Sequence, residues 1–521
     1  MKDYIKTVVL LISFSFAACE SWLDVQPETQ ITEESLLTTG DGYRSVLNGL
    51  YKTMGETALY GKELTWGMLD CISQQYKLGE DNFYAGKIWR DFAKLDYTTT
   101  YSVSYLKSVW TDAYNIIANA NNLIQNLKNA SPDLFSQGEM EKNLILGEAY
   151  ACRAFMHFDM LRLFAPAPVN DDGKAYVPYV EAYPSLYSQK LGVQSCIDKI
   201  ITDLEQARPL VVVWDTSLVG RGTLIRGESR FHNTFVFGTE IYGNQTLNVE
   251  SFFKGRGYRM HYFAVTALLA RAYQYAGRYQ EAYECAKEVL EFKVKSNYGN
   301  ELAFDKDDFS GVSSTNWNNK KDLKTISNLI FGVYNENAYE DFGLSYSYAP
   351  EYTGSAGWFV LNLDGQKVFQ NYAGVDESDR DYRYLRLTYL AGGEYPISGK
   401  YYCSTDETTR DYNATVIPLI RATEMKYIMA EYYARQNNFP EAKKILEDIR
   451  KARGCVESLS ISSWADFVSE LIRDARREWI GEGQLFYLYK RLNASVDFGN
   501  GTVRPFTRSE YLLPIPTNEG L

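Results

Sequence analysis

Residues 264–289, AVTALLARAYQYAGRYQEAYECAKEV, decide the fold of this chain because a second stretch answers them at constant spacing. Ala270, Tyr273, Gly277, Tyr279, Ala282, Ala286 and Val289 correspond one for one to Ala430, Tyr433, Asn437, Phe439, Ala442, Leu446 and Ile449. In each copy a small residue and a Tyr lie three apart, which places them on one face of a helix. Gly277 or Asn437 then stands where that helix has to stop, and both residue types tolerate left-handed backbone. A second helix starts near Ala282 or Ala442, where a short side chain lets the two helices approach closely.

Such an antiparallel pair is the unit of a tetratricopeptide repeat. Repeats of this kind hold binding surfaces and seldom supply catalytic groups. The expected fold is therefore mainly α, made of tetratricopeptide-like helical hairpins with long irregular loops and a few short strands.

At 521 residues, 45% hydrophobic and 23% charged, the chain can bury a large core as one helical domain or two. A net charge of -12 with no run of Lys and Arg argues against nucleic acid as a partner, because phosphate binding needs clustered cations. Tyr is unusually abundant, 42 residues. Most are expected to pack between helices with the hydroxyl at a boundary, others to face solvent as flat platforms.

Lys2 and Lys6 precede an apolar run, Val8 to Ala18, too short to span a bilayer. Residues 1–18 read as a secretory signal peptide, and Phe16-Ala17-Ala18-Cys19 makes Cys19 the candidate lipidation site; the alternative is an unlipidated cleavage site. Cys71, Cys152, Cys196, Cys285, Cys403 and Cys455 show no metal-ligand spacing, and nothing assigns a disulfide. His157, His232 and His261 lack a second ligand at i+3 or i+4 and read as packing residues. No cofactor and no metal are expected.

Helices are expected over 42–54, 105–129, 139–164 (stopped by Pro166 and Pro168) and 195–208, the last capped by Ser195 and closed by Pro209. Residues 59–104 read as short helices joined by exposed loops, and 211–257 as short strands or loops. GRG at 220 and 255 completes no phosphate loop, since Ile225 and Met260 replace the third glycine. Residues 297–413 are the most irregular part, where binding is expected on a helical scaffold. A second repeat at 420–454, a helix at 464–493 and an extended LLPIPTNE at 512–519 complete the chain.

Several ordered landmarks now converge. Cys19 is followed by Leu23, Asp24 and Pro27; Glu148, Arg153, Ala154 and Phe155 lie in GEAYACRAFMHFDML; Ser195 precedes Asp203, Leu204 and Ala207. RREWIGEGQLFYLYKRLN at 476–493 and Leu513-Pro514-Ile515-Pro516 with Glu519 are the most specific. Together with the two repeats, these resemble the SusD/RagB outer-membrane lipoproteins of Bacteroidetes. Gln484, Leu485 and Leu488 depart from the pattern of many members and suggest a subgroup. The resemblance implies a signal peptide at 1–18 and one SusD-like domain at 19–521. Within it would lie an N-terminal helical half at about 40–295 with the first clear repeat at 261–295, and a loop-rich ligand region at about 296–413. A C-terminal repeat and helix at 420–493 and an extended tail at 494–521 would follow.

The resemblance further implies a protein on the cell exterior, held to the outer membrane by a lipid. It would capture glycan or oligosaccharide and deliver it to a SusC-like TonB-dependent transporter without catalysis. A peptide-binding RagB-like member is the alternative, and a glycoside hydrolase on a helical scaffold the more distant one, since that chemistry needs two acids flanking a cleft. Sugar C–H patches lie on aromatic faces while hydroxyls need polar rims. On that physical ground Trp89, Tyr76, Asn82, Trp317, Tyr346 and Trp358 are the candidate ligand contacts, with Arg90 as a rim donor.

Overall fold

Gly277 and Asn437 take φ values of +79° and +58°, and each ends its helix in the same way. Arg278 N–H donates to Tyr273 O at 2.8 Å and Gly277 N–H to Gln274 O at 3.1 Å; Asn438 N–H donates to Tyr433 O at 2.9 Å and Asn437 N–H to Ala434 O at 3.0 Å. Both are Schellman turns. The computed structural model describes residues 36–77, 87–232, 249–296, 299–304, 307, 309–335, 337–338, 359–402, 404 and 406–516.

The chain is mostly helical, as expected from its repeats. The principal helices are α1 (Gly40–Met54), α2 (Thr100–Asn129), α3 (Gly138–Phe164), α4 (Val193–Asp215), α5 (Tyr262–Tyr275) and α6 (Tyr279–Leu290). They continue with α7 (Ala422–Arg435), α8 (Phe439–Ala452), α9 (Trp464–Glu478) and α10 (Gln484–Leu492). Thr99 caps α2 by accepting from Ser102 N–H, and Val109, Ala113, Ile117, Ala120 and Leu127 form its buried face. Nearly every residue of α3 from Leu144 onward is buried, so it is the central helix of the stack.

Antiparallel neighbours pack in sequence order from α2 to α4, and α4 packs on α5. The two matched hairpins then meet directly, α6 against α7, although more than a hundred residues separate them. Tyr283 stacks on Tyr432 with centroids 4.5 Å apart, and its hydroxyl lies 3.0 Å from that of Tyr433. Arg271 of α5 clamps Glu424 of α7 through two bonds of 2.6 Å. The intervening chain leaves and rejoins the stack through antiparallel strands β1 (Leu329–Tyr334) and β2 (Val416–Arg421).

Buried ion pairs join the layers. Glu148 of α3 accepts from Arg256 at 2.5 Å, Arg259 at 2.8 Å and the Tyr51 hydroxyl at 2.7 Å, and Arg256 reaches on to Asp215 at 2.9 Å. Burial alone would raise the Glu148 carboxyl, but Arg259 and Arg256 outweigh it and hold it below its ordinary value. Arg153 pairs with Asp203 through bonds of 2.6 and 2.7 Å, fixing α3 to α4. Toward the C-terminus Glu478 takes Arg453 at 2.7 Å and Arg383 at 3.2 Å, and Glu482 takes Arg421 and Lys400 at 2.7 Å.

Four expectations are corrected. Pro209 does not close its helix, which starts at Val193 rather than at Ser195 and runs on to Asp215. Leu210 and Val211 pack against Gly147, where a Cβ would lie 2.7 Å from Val211 Cγ1, and this close approach carries the helix past the lost hydrogen bond. In the described part of 211–257 the chain forms the end of α4 and short helical turns instead of strands. The segment 464–493 is two helices, interrupted at Gly481 and Gly483, whose φ values are +80° and +67°. Both glycine N–H groups donate to buried Asp70, at 2.7 and 3.1 Å. Finally, Leu59, Tyr60, Leu64 and Trp66 are buried in tight turns, so the region after α1 is core rather than exposed loop.

Candidate functional site

The two aromatic stretches singled out in the sequence are tied together at their roots. Tyr76 and Leu361 form an antiparallel bridge, with Lys77 N–H donating to Val360 O at 2.8 Å and Asn362 N–H to Gln75 O at 2.9 Å. Phe359, just before the bridge, is the hub. Its ring meets Tyr76 at 4.9 Å, Trp89 at 5.2 Å and Trp66 at 5.4 Å. Trp89, on the short helix Lys87–Ala93, is half-buried and also meets Tyr105 of α2 edge-on at 6.1 Å. Lys62 Nζ lies 5.6 Å from the Trp89 centroid and 5.8 Å from that of Tyr105.

A second cluster continues from the first. Val360 packs with Ala391 and Ile397 of the hairpin Thr388–Ala391 and Tyr395–Ser398, where Tyr389 and Tyr395 join them. Tyr389 meets Trp317 edge-on at 5.2 Å, and Trp317 meets Tyr402 at 5.2 Å. Gly399 permits this arrangement, because a Cβ there would come within 2.3 Å of the Trp317 ring. Lys320 Nζ sits 4.6 Å from the Trp317 centroid. Half-buried Trp89 and Trp317 therefore end a tract whose middle, formed by Phe359, Val360, Ala391 and Ile397, is buried and partly aliphatic.

Of the other sequence candidates, Tyr76 belongs beneath the tract rather than on it. It is 3% exposed and its hydroxyl donates to Trp66 O at 2.7 Å. Arg90 is half-buried beside Trp89. Asn82, Tyr346 and Trp358, and the anchor candidate Cys19, lie outside the described residues. Lys62, Tyr105, Phe359, Tyr389 and Tyr402 were missed. Only the hairpin had a local signal, the Gly392-Gly393 pair between short runs containing Tyr.

His157 and His261 are occupied in packing and capping. His157 stacks on Tyr179 at 3.9 Å and accepts from Val180 N–H at 2.9 Å, and burial lowers it to about 3. His261 caps α5 by accepting from Ala264 N–H at 3.2 Å. Among the described residues no group of His, Cys, Asp and Glu could hold a metal ion, and no helix is long and apolar enough to cross a membrane.

Residues 21–217 match a SusD-like family model described as starch-binding associating with outer membrane. Over those residues the chain is similar to the SusD-like family. SusD-like protein P2 of Formosa agariphila is 26% identical over 208 residues, which are 40% of this chain and 38% of that relative. The match thus spans under half the length of that curated relative. A solved SusD superfamily protein from Bacteroides thetaiotaomicron shares the fold with a TM-score of 0.59 and 20% identity, covering 92% of this chain and 96% of that one. A structure described as a laminarin-binding SusD-like protein has a TM-score of 0.59 at 16% identity, with coverage of 92% and 96%.

The sequence landmarks Glu148, Arg153, Glu478 and Glu482 are the buried anchors already described, remote in role from the aromatic tract. One buried acid does underlie the tract. Glu63, beside Lys62 at 3.3 Å, has an Oε2 without a hydrogen-bond partner, and burial pushes its carboxyl up to about 7. A raised folded value means that stability is full below the ordinary value of 4.5 and is lost as pH rises to about 7. Asp70 is likewise pushed up to about 7 by burial, against the pull of the Gly481 and Gly483 N–H groups. Glu63→Gln should remove about 3 kcal/mol of this alkaline loss and leave the part due to Asp70. Urea unfolding at pH 5 and pH 8 checks it; equal pH slopes in both proteins would contradict it.

Proposed function

We propose that this SusD-like chain captures glycan or oligosaccharide on the Trp89–Trp317 tract and delivers it, chemically unchanged, to a SusC-like TonB-dependent transporter. The observation that carries the reading is the Tyr76–Leu361 bridge, which draws two aromatic stretches distant in sequence into one place. Pyranose C–H faces can lie on the accessible parts of Trp89, Tyr389 and Trp317, while Lys62 and Lys320 offer donors to hydroxyls. The family description and the laminarin-binding neighbour support carbohydrate as the ligand class. Lipid on Cys19, after removal of 1–18, would hold the chain on the outer membrane facing outward, since several acyl chains on one residue anchor stably. The helical hairpins provide the rigid face for the transporter.

Electrophoresis through gels containing laminarin or starch tests this. Retarded migration without released sugar is the expected result, and Trp89→Ala should weaken binding about tenfold or more, the scale of a central aromatic contact. Release of sugar would make the chain a hydrolase. Indifference to every glycan with capture of peptide would move it to the RagB-like alternative.

A further inference from the structure

A second concavity, of about 670 Å³, lies between α9, the loop 366–374 and the segment 492–503, and none of the residues of the aromatic tract lines it. Its volume falls in the range of about 300–1,000 Å³ usual for small-ligand sites. Arg476 lines it and is only 9% exposed. Among the described residues no carboxylate lies within 4.0 Å of this guanidinium, unlike neighbouring Arg477, Arg383, Arg450 and Arg453, which all pair with acids. Its one side-chain hydrogen-bond partner among the described residues is neutral: Arg476 donates to Gln366 Oε1. Gln366 is itself fixed, its Nε2 donating to Gln74 O at 2.7 Å and Asp497 O at 2.6 Å, so the oxygen that orients Arg476 is held in place.

A buried cation without an anion is costly unless something else supplies the charge. The other charged groups lining the groove are Lys367, Asp497 and Arg473, the last already paired with Glu470 at 2.5 Å. Positive charge thus prevails in the groove of a chain whose net charge is -12. Tyr372, which also lines the groove, is 51% exposed.

We propose that this groove binds a uronic acid unit of an acidic oligosaccharide, its carboxylate on the Arg476 guanidinium and its pyranose face on Tyr372. A planar guanidinium matches a planar carboxylate, and the pair is stronger away from bulk water. The inference rests on the reading of the chain as a glycan binder but uses different residues. Titration calorimetry of the full chain with trigalacturonate, its neutral methyl ester and laminaritriose tests it. Trigalacturonate should bind, and Arg476→Gln, Tyr372→Ala or methyl esterification should each weaken that binding tenfold or more. Laminaritriose binding should be unchanged in both variants. Tyr372→Ala alters an exposed ring, so its result does not depend on the folding of the Arg476 variant. Equal binding of acid and ester, no binding of trigalacturonate, or full binding by both variants overturns the proposal. Loss of laminaritriose binding in Trp89→Ala with trigalacturonate binding intact separates the two sites. Failure of the wild-type chain to bind any neutral glycan would sink the proposed function alone.

Discussion

Glu148→Ala should lower the unfolding free energy by about 3–5 kcal/mol, the cost of breaking a buried ion pair by removing one partner. The size follows from what is left behind. Arg256 keeps Asp215, but Arg259 loses its only carboxylate within 4.0 Å among the described residues, and its Nη2 already lacks a hydrogen-bond partner. The Tyr51 hydroxyl, which donates to Glu148 and accepts from Met260 N–H at 2.8 Å, loses its acceptor as well. These groups belong to α1, to α3 and to the segment leading into α5, so the damage reaches three parts of the stack at once. Urea unfolding of the wild type, Glu148→Ala, Arg259→Met and the double variant measures it. A double-variant loss well below the sum of the single losses is expected, because the second change removes the charge stranded by the first. A single-variant loss under about 1 kcal/mol would mean that the arginines find other partners.

Such couplings mark the boundary of what could be read from the residues alone. The hairpins were legible because their signals are local: Gly277 and Asn437 at the stop, with Ala282 and Ala442 at the close approach only five residues on. Pro209 misled because its local rule is overridden by Gly147, which is distant in sequence and matters only through the space it leaves. The break at Gly481 and Gly483 was hidden under a continuing apolar pattern, and the carboxylate that stabilises it, Asp70, comes from the other end of the chain. Trp89 and Trp317 could be chosen by type and neighbourhood, but Tyr76 could not be told from them. Its burial depends on Phe359 and Trp66, brought over it by the fold. Arg476 and Arg477 are adjacent and identical in sequence, yet Arg477 is paired with Glu377 and Asp381 while the Arg476 side chain, among the described residues, bonds only to a glutamine.

The same dependence on surroundings predicts opposite fates for two left-handed glycines. Gly483→Ala should cost about 3 kcal/mol or more, since a side chain in left-handed backbone costs about 1–3 and forced overpacking about as much again. A Cβ at Gly483 would lie 2.3 Å from Leu64 O and 2.9 Å from Leu64 C, and the obstacle is backbone with no rotamer to yield. Relief would require moving the 479–483 loop from Asp70 or shifting residues 64–66, and Trp66 supports Phe359 under Trp89. Gly483→Ala should therefore weaken the proposed glycan binding together with stability. Gly277→Asn is the control. Nothing lies within 4 Å of a Cβ there, and Asn437 already holds the equivalent place in the matching hairpin at φ +58°. Its unfolding free energy should stay within about 0.5 kcal/mol of the wild type, as for other surface changes. Thermal unfolding compares the two variants directly. If both lose stability equally, backbone conformation alone sets the cost and the contact with Leu64 contributes nothing.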